Sequence, residues 1–143
     1  MKAQLAVLTF IMFVLYLPLN AGGKGELQKY FNDASKKVKL TENASDKREI
    51  LNKSFQNVSN ALNMLSGSVL ISKDESIGID RFKAALQEKQ DELAGLNGYE
   101  RVSDEQLNSF SDYVVQDMEQ ADEMITISVV TLLLIVILVA LLV

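Results

Sequence analysis

Apolar residues recur at helical spacing in the middle of the chain. The clearest case lies between residues 46 and 67, where five apolar side chains follow one another at steps of four, three, four and three residues. This spacing places them on one face of a helix and matches the seam of a coiled coil. They are Leu51, Phe55, Val58, Leu62 and Leu65. The stretch is therefore predicted to be an amphipathic helix.

Two further stretches show the same kind of stripe. Residues 26–40 carry Leu27, Tyr30, Phe31, Ala34 and Val38. Residues 80–96 carry Phe82, Ala85, Leu86, Leu93 and Leu96. Each stripe occupies one face at a period of 3.6 residues, so each predicts a helix that buries that face.

Capping residues set the expected limits of the second and third helices. Asp46 and Glu49 have the spacing of a capping box, and Gly67 is suited to end the same helix. Residues 69–71 are compatible with a short strand or an extended link. Asp80 is the expected cap of the third helix, which Gly95 then ends.

A fourth helix is predicted to run into the apolar C-terminus. Ser103 and Gln106 have the spacing of a capping box, and no Pro or Gly follows before the end of the chain. An unbroken helix from Asp104 to Val143 is expected. The fold class is therefore all-α: a small helical hairpin or bundle on a C-terminal single transmembrane helix, with an N-terminal signal peptide.

The N-terminal residues have the layout of a secretory signal peptide. Lys2 gives a positive start, residues 5–17 are apolar, and Pro18 precedes a run of small residues. Residues 1–23 are assigned to the signal peptide, with an uncleaved signal anchor as the alternative. Residues 24–124 then form the exported helical domain.

Residues 125–143 form a stretch of 19 residues without a charge. As a helix this stretch is about 28 Å long, close to the roughly 30 Å of a hydrocarbon core. It is predicted to be a single transmembrane helix that serves as an anchor. A buried core helix is the alternative, although a small domain has little interior for a helix that is apolar on all sides.

Charge along the chain bears on orientation. The segment from Asp104 to Glu123 contains seven acidic residues and no basic one, so no positive charge retains this segment on the cytoplasmic side. The domain is therefore expected in the periplasm, anchored in a bacterial inner membrane. An acidic juxtamembrane face is predicted from Asp112, Asp117, Glu119, Asp122 and Glu123.

A eukaryotic cell-surface protein with a GPI anchor is the alternative. An apolar tail without a charged flank resembles a GPI-attachment signal, with Ser109–Ser111 as the nearest attachment site. Three glycosylation sequons begin at Asn43, Asn52 and Asn57.

The composition excludes several kinds of chemistry. The chain has no cysteine and no histidine, which removes disulfides, thiol nucleophiles, imidazole bases and Cys/His zinc sites. No cofactor or metal site, catalytic residue or nucleic-acid partner is predicted. The prediction is a non-catalytic interaction protein with a protein partner or self-association. Its expected contact residues are Leu51, Phe55, Val58, Leu62 and Leu65.

Overall fold

A computed structural model describes residues 22–66, 68–69, 71–124 and 129–142. Its regular structure in these ranges is helical, without a strand, which confirms the predicted all-α class. Most of the predicted signal peptide, residues 1–21, lies outside the described residues, as does the predicted stop at Gly67.

Five helices lie within the described ranges. They are α1 (Gly22–Leu40), α2 (Ala44–Leu65), α3 (Lys73–Ala94), α4 (Leu107–Met124) and α5 (Val129–Leu142), and a short 3₁₀ turn, Asp104–Gln106, leads into α4. The link between α1 and α2 is only three residues long, which makes these two helices antiparallel neighbours.

The start of α2 differs from the prediction because a different side chain caps it. Asn43 caps α2: its side-chain oxygen accepts hydrogen bonds from the backbone N–H groups of Ser45 and Asp46, at 2.8 and 3.3 Å. The predicted capping box at Asp46 and Glu49 is therefore wrong, and both residues lie inside the helix. An Asn at the N-cap satisfies donors that a helix leaves unpaired.

The cap of the third helix, Ser72, lies eight residues before the predicted cap, Asp80. Ser72 accepts a hydrogen bond from the Glu75 N–H, and the Glu75 side chain accepts one from the Ser72 N–H, both at 3.2 Å. This reciprocal pair is a capping box, and it leaves Asp80 inside the helix. Gly95 ends α3 in the left-handed conformation with φ of 75°, as predicted.

Contacts between helices define an antiparallel arrangement. The Lys47 ammonium donates to Asn108 at 2.8 Å, and Arg48 pairs with Asp104 at 2.8 Å. The starts of α2 and α4 therefore meet at the end of the bundle where α1 stops, and Arg48 also reaches the Leu93 carbonyl in the last turn of α3. We call this the Arg48 end.

The opposite end is named after Val69, which lies in the connection between α2 and α3. There α1 begins, α2 ends, α3 begins and α4 ends. Consistent with this, Tyr30 of α1 accepts a hydrogen bond from Asn57 of α2 at 3.3 Å, and Phe31 packs near Phe55.

The core is formed by the inward faces of these helices. Its α2 members are Leu51, Phe55, Val58, Ala61, Leu62 and Leu65, none more than 5% exposed. Five of them are the residues predicted as partner contacts. They pack inside the bundle because the stripe of one helix is covered by its neighbours, so they are corrected from a contact surface to core.

The C-terminal helix packs on the bundle. α5 lies against α1 and α2 and buries Ile135 and Val139. A straight continuation of α4 would carry residues 129–142 past Gly22 and Leu65, away from both helices. The predicted single helix from Asp104 to Val143 is therefore corrected: α5 does not extend α4 in a straight line.

The predicted membrane span, residues 125–143, is described only in part, because residues 125–128 and 143 lie outside the described ranges. Within the part of the chain that the structure describes, no helix is both long enough and apolar enough to cross a membrane.

Candidate functional site

The predicted acidic face divides into residues with different surroundings. Asp112 is exposed and pairs with Lys39 of α1. Asp117 is partly exposed and pairs with Lys89 of α3, whereas Glu119 is exposed. The side chains of Asp122 and Glu123 lie outside those described. Asp112 and Asp117 therefore connect α4 to its neighbours, and they do not form one open acidic surface.

A buried lysine joins α3 to α4. The Lys89 side chain is only 1% exposed, and its ammonium donates to Tyr113 Oη at 2.7 Å and to Glu92 at 3.0 Å. It also forms an ion pair with Asp117 and lies 4.1 Å from the centre of the Tyr113 ring. Every donor of the ammonium group therefore has a partner, which is what a buried charge requires.

The surroundings of Lys89 keep it protonated. Burial alone would lower its pKa, but the hydrogen bonds to Asp117, Tyr113 and Glu92 outweigh burial and raise the pKa above the ordinary value. A lysine that acts as a nucleophile or base needs a lowered pKa. This cluster therefore joins helices and does not resemble a catalytic lysine site.

The sequence held one signal for this cluster. Lys89 continues the core series Ile79, Phe82 and Leu86, because it lies three residues after Leu86 and four before Leu93. A lysine in a core position of a helical stripe requires a carboxylate partner inside the fold. The partner on α4, Asp117, is 28 residues away, so the stripe alone does not identify it.

Arg48 connects three segments at the Arg48 end. Its guanidinium donates to the carbonyls of Leu93 and Val102 and to the carboxylate of Asp104. The hydrogen bond from Arg48 lowers the pKa of Asp104. Its buried Nε has no hydrogen-bond partner among the described residues. The side chain therefore fixes the end of α3 and the start of α4 against α2.

A buried carboxylate, Asp91, organises the turn after α3. One oxygen accepts from Gln87 at 3.0 Å, and the other accepts from the Asn97 amide at 2.8 Å. Asn97 has a φ of 54°, a left-handed conformation that Asn tolerates better than most residues. The carboxylate thus holds the turn that separates α3 from α4.

A polar contact also lies between α1 and α4. The hydroxyls of Ser35 and Ser111 are 2.9 Å apart and buried, and Ser35 donates to Asp112 at 3.2 Å. This contact fixes the register of the first described helix against the fourth.

Large apolar side chains are exposed at both ends of the bundle. Leu40, at 85% exposure, lies at the Arg48 end with the partly exposed Leu96 and Tyr99 of the α3–α4 connection. At the Val69 end, the exposed residues are Met64, Val69 and Ile77. With the α2 stripe buried, these two groups are the apolar surface that a partner could reach at the ends of the described bundle.

The described residues contain no group of three or more His, Cys, Asp or Glu side chains arranged to hold a metal ion. The candidate site therefore consists of ion pairs that join helices and of exposed apolar residues at the two ends of the bundle. Comparison with models of protein families, with curated proteins and with solved structures found no match.

Proposed function

We propose that the chain is a membrane-anchored, non-catalytic interaction protein whose helical bundle lies on the extracytoplasmic side of a bacterial inner membrane, as part of an envelope assembly. One observation carries the proposal. α1 begins and α4 ends at the Val69 end, so the apolar segments 5–17 and 125–143 both join the bundle there. Either apolar segment can therefore enter a membrane that lies next to the Val69 end.

Hydropathy supports residues 125–143 as the anchor. The segment holds 15 Leu, Ile and Val residues and no charged one, and such residues gain about 0.3–0.6 kcal/mol each at a bilayer centre. Docked on the bundle, the segment leaves Leu141 52% exposed. In this proposal α5 leaves α1 and α2 and enters the bilayer, so the faces of α1 and α2 that it covers become exposed.

The side of the membrane follows from charge. The segment that precedes the span, residues 104–123, contains no Lys or Arg, so it has no positive residue to retain it in the cytoplasm. The N-terminal apolar segment, preceded by Lys2, directs export of the residues C-terminal to it. Both features support a periplasmic bundle.

The proposed contact surface for a protein partner is the Arg48 end. Its exposed apolar residues are Leu40, Leu96 and Tyr99, and in the anchored protein this end points away from the membrane. Leucine and tyrosine side chains that are exposed in the free protein can become buried against a partner. Arg48 and Asp104 at this end pair with each other, and the exposed apolar residues supply the expected contact.

The anchor and its orientation are tested with the full-length protein in a bacterial host. The natural chain has no cysteine, so Leu40→Cys introduces a single thiol at an exposed site. We expect the protein to remain in membranes after carbonate washing and the thiol to react with a membrane-impermeant maleimide once the outer membrane is permeable. Release by carbonate overturns the anchor, and labelling only after lysis overturns the orientation.

The partner surface is tested by capture in mild detergent. Leu96→Ser with Tyr99→Ser is expected to lose a stoichiometric partner or self-association, whereas the matched variant Ile77→Ser at the Val69 end retains it. Equal capture by both variants would overturn the assignment of the Arg48 end.

The alternative is a GPI-anchored, glycosylated eukaryotic surface protein, which the apolar, uncharged segment 125–143 favours. Its other elements fit the described helices poorly. Two sequon asparagines, Asn52 and Asn57, lie within α2, and the tripeptide Ser109–Ser111 lies in α4 with Phe110 and Ser111 buried. Sequons are normally modified in surface loops, and a GPI site needs a loose spacer. Phospholipase release and a mobility shift on deglycosylation would support this alternative.

A further inference from the structure

The Val69 end carries three exposed apolar side chains beside the connection between two helices. Met64 in the last turn of α2 is 59% exposed, Val69 in the connection is 100% exposed, and Ile77 near the start of α3 is 48% exposed. They differ from the residues of the core, because no other part of the described bundle covers them. We call them the Val69 patch.

The position of the Val69 patch follows from the helix directions. Contacts between Lys47 and Asn108 and between Arg48 and Asp104 put the starts of α2 and α4 at the opposite end. The end of α2, the start of α3, the start of α1 and the end of α4 therefore share the end that carries the patch. The chain outside α1 to α4 continues from this same end on both sides, towards residues 5–17 and 125–143.

The position of the Val69 patch indicates what covers it in the anchored protein. Whichever apolar segment enters a bilayer, the connection between α2 and α3 then lies next to the membrane surface. Val69 is fully exposed at the end of the described bundle, which suits contact with lipid better than insertion between helices. The charged residues Lys73 and Asp74, a few positions later, are exposed and can stay among the polar headgroups.

We propose that Met64, Val69 and Ile77 enter the interfacial region of the bilayer that holds the anchor, and so hold the bundle against the membrane. The inference rests on the proposed membrane anchoring and adds a second contact to it. With two contacts, the bundle has a fixed orientation relative to the membrane, and the Arg48 end faces away from the lipid.

The test uses full-length protein in phosphatidylcholine vesicles. Because the natural chain lacks cysteine, Val69→Cys and Leu40→Cys each carry one thiol, which is labelled with a polarity-sensitive fluorophore. Leu40 is the matched control, since it is also highly exposed and apolar but lies at the Arg48 end. Quenching by nitroxide-labelled lipid and by aqueous iodide is measured for both, after flotation of the vesicles.

We expect the label at position 69 to shift to the blue and to be quenched by the nitroxide lipid at least threefold more than the label at position 40. Equal quenching at both positions, with the protein floating, would overturn the lipid contact and leave the anchor in place. Protection of position 69 from iodide without lipid quenching would show that a second copy covers the patch, which also overturns the proposal. A protein that does not float overturns both the anchor and this inference.

A second pair of variants checks that the contact is specific to the patch. Val69→Ser with Ile77→Ser changes only exposed positions and is expected to leave thermal unfolding unchanged. When Met64→Cys is added to this double variant and labelled, the fluorophore should lose at least half of the quenching by nitroxide lipid that it shows with Met64→Cys alone. Unchanged quenching would overturn the role of Val69 and Ile77.

Discussion

The ammonium group of Lys89 in α3 and the carboxylate of Asp117 in α4 form an ion pair across the two helices, although the lysine is almost completely buried. Removing one partner of a buried pair is costly, because the remaining charge keeps its desolvation penalty. Asp117→Ala is therefore expected to destabilise the fold by about 1.5–3 kcal/mol, the range for a hydrogen bond to a charged group. Thermal unfolding of the full-length protein in detergent, followed by circular dichroism, measures the loss.

Asp112→Ala is the control on the same helix: Asp112 pairs with Lys39 in an exposed site and accepts one hydrogen bond from Ser35. Exposed ion pairs contribute about 0–1 kcal/mol. Lys89→Met, which removes the charge and keeps most of the length of the side chain, should cost less than Asp117→Ala. Equal losses for Asp112→Ala and Asp117→Ala would show that burial of Lys89 does not determine the effect.

The residues first predicted as contacts should behave as core. Phe55→Ala is expected to cost about 3–5 kcal/mol and Leu62→Ala about 2–5 kcal/mol, because each leaves a cavity in the bundle. Met64→Ala, an exposed position on the same helix, should change stability by less than about 0.5 kcal/mol. Chemical denaturation compares the three variants. Loss of partner capture by Phe55→Ala at unchanged stability would contradict the core assignment.

The Ser72 side chain forms the N-terminal cap of α3. Ser72→Ala removes one half of the capping box with Glu75 and is expected to cost about 0.5–2 kcal/mol in thermal unfolding. Ser103 offers a matched control, since it precedes the 3₁₀ turn without a side-chain capping hydrogen bond. Ser103→Ala should therefore be nearly neutral. A larger loss at Ser103 than at Ser72 would refute the assignment of these caps.

Stability at acidic pH should depend on Arg48. Its hydrogen bond lowers the pKa of Asp104 in the folded state below the unfolded value of about 3.9. The contribution is therefore present above roughly pH 4 and is lost as the pH falls through the folded pKa. In Arg48→Met the pKa of Asp104 should rise towards its ordinary value, as measured by carboxyl NMR titration.

Glu49 is the internal control for this titration, because a hydrogen bond from Lys53 lowers its pKa independently of Arg48. The pKa of Glu49 should be the same in both proteins. If Asp104 titrates identically with and without Arg48, the guanidinium does not cause the shift.

The apolar stripes predicted α1 and α2 well, because a core position on an amphipathic helix needs only its own periodicity to be recognised. Spacing alone correctly placed Leu51 and Leu62 on one apolar face of a helix. Spacing could not determine whether that face met the same chain or another one. That choice depended on how α1, α3 and α5 pack against α2, which the stripe itself does not encode.

The start of α3 and the position of α5 were less predictable. Ser72 and Glu75 have capping spacing, but the apolar stripe that marks α3 becomes regular only at Ile79, so the first turn had no signal beyond the cap itself. For α5, an all-apolar helix fits both a bilayer and the side of a bundle, and its sequence carries no polar face to distinguish them.

The hydrogen bond between Asn97 and Asp91 also makes this turn sensitive to deamidation of Asn97. Gly98 follows Asn97, and its unhindered backbone nitrogen favours cyclisation of the Asn side chain with loss of ammonia, followed by hydrolysis to an acid. That acid would place two carboxylates at the 2.8 Å now spanned by the amide, next to the buried Asp91. Like charges at this distance raise a pKa, so the turn would close only when one of them is protonated. Asn97→Asp reproduces the aspartate product of this reaction. Relative to the natural protein, it should lose less thermal stability near pH 4 than at pH 7, and an equal loss at both pH values would refute the argument.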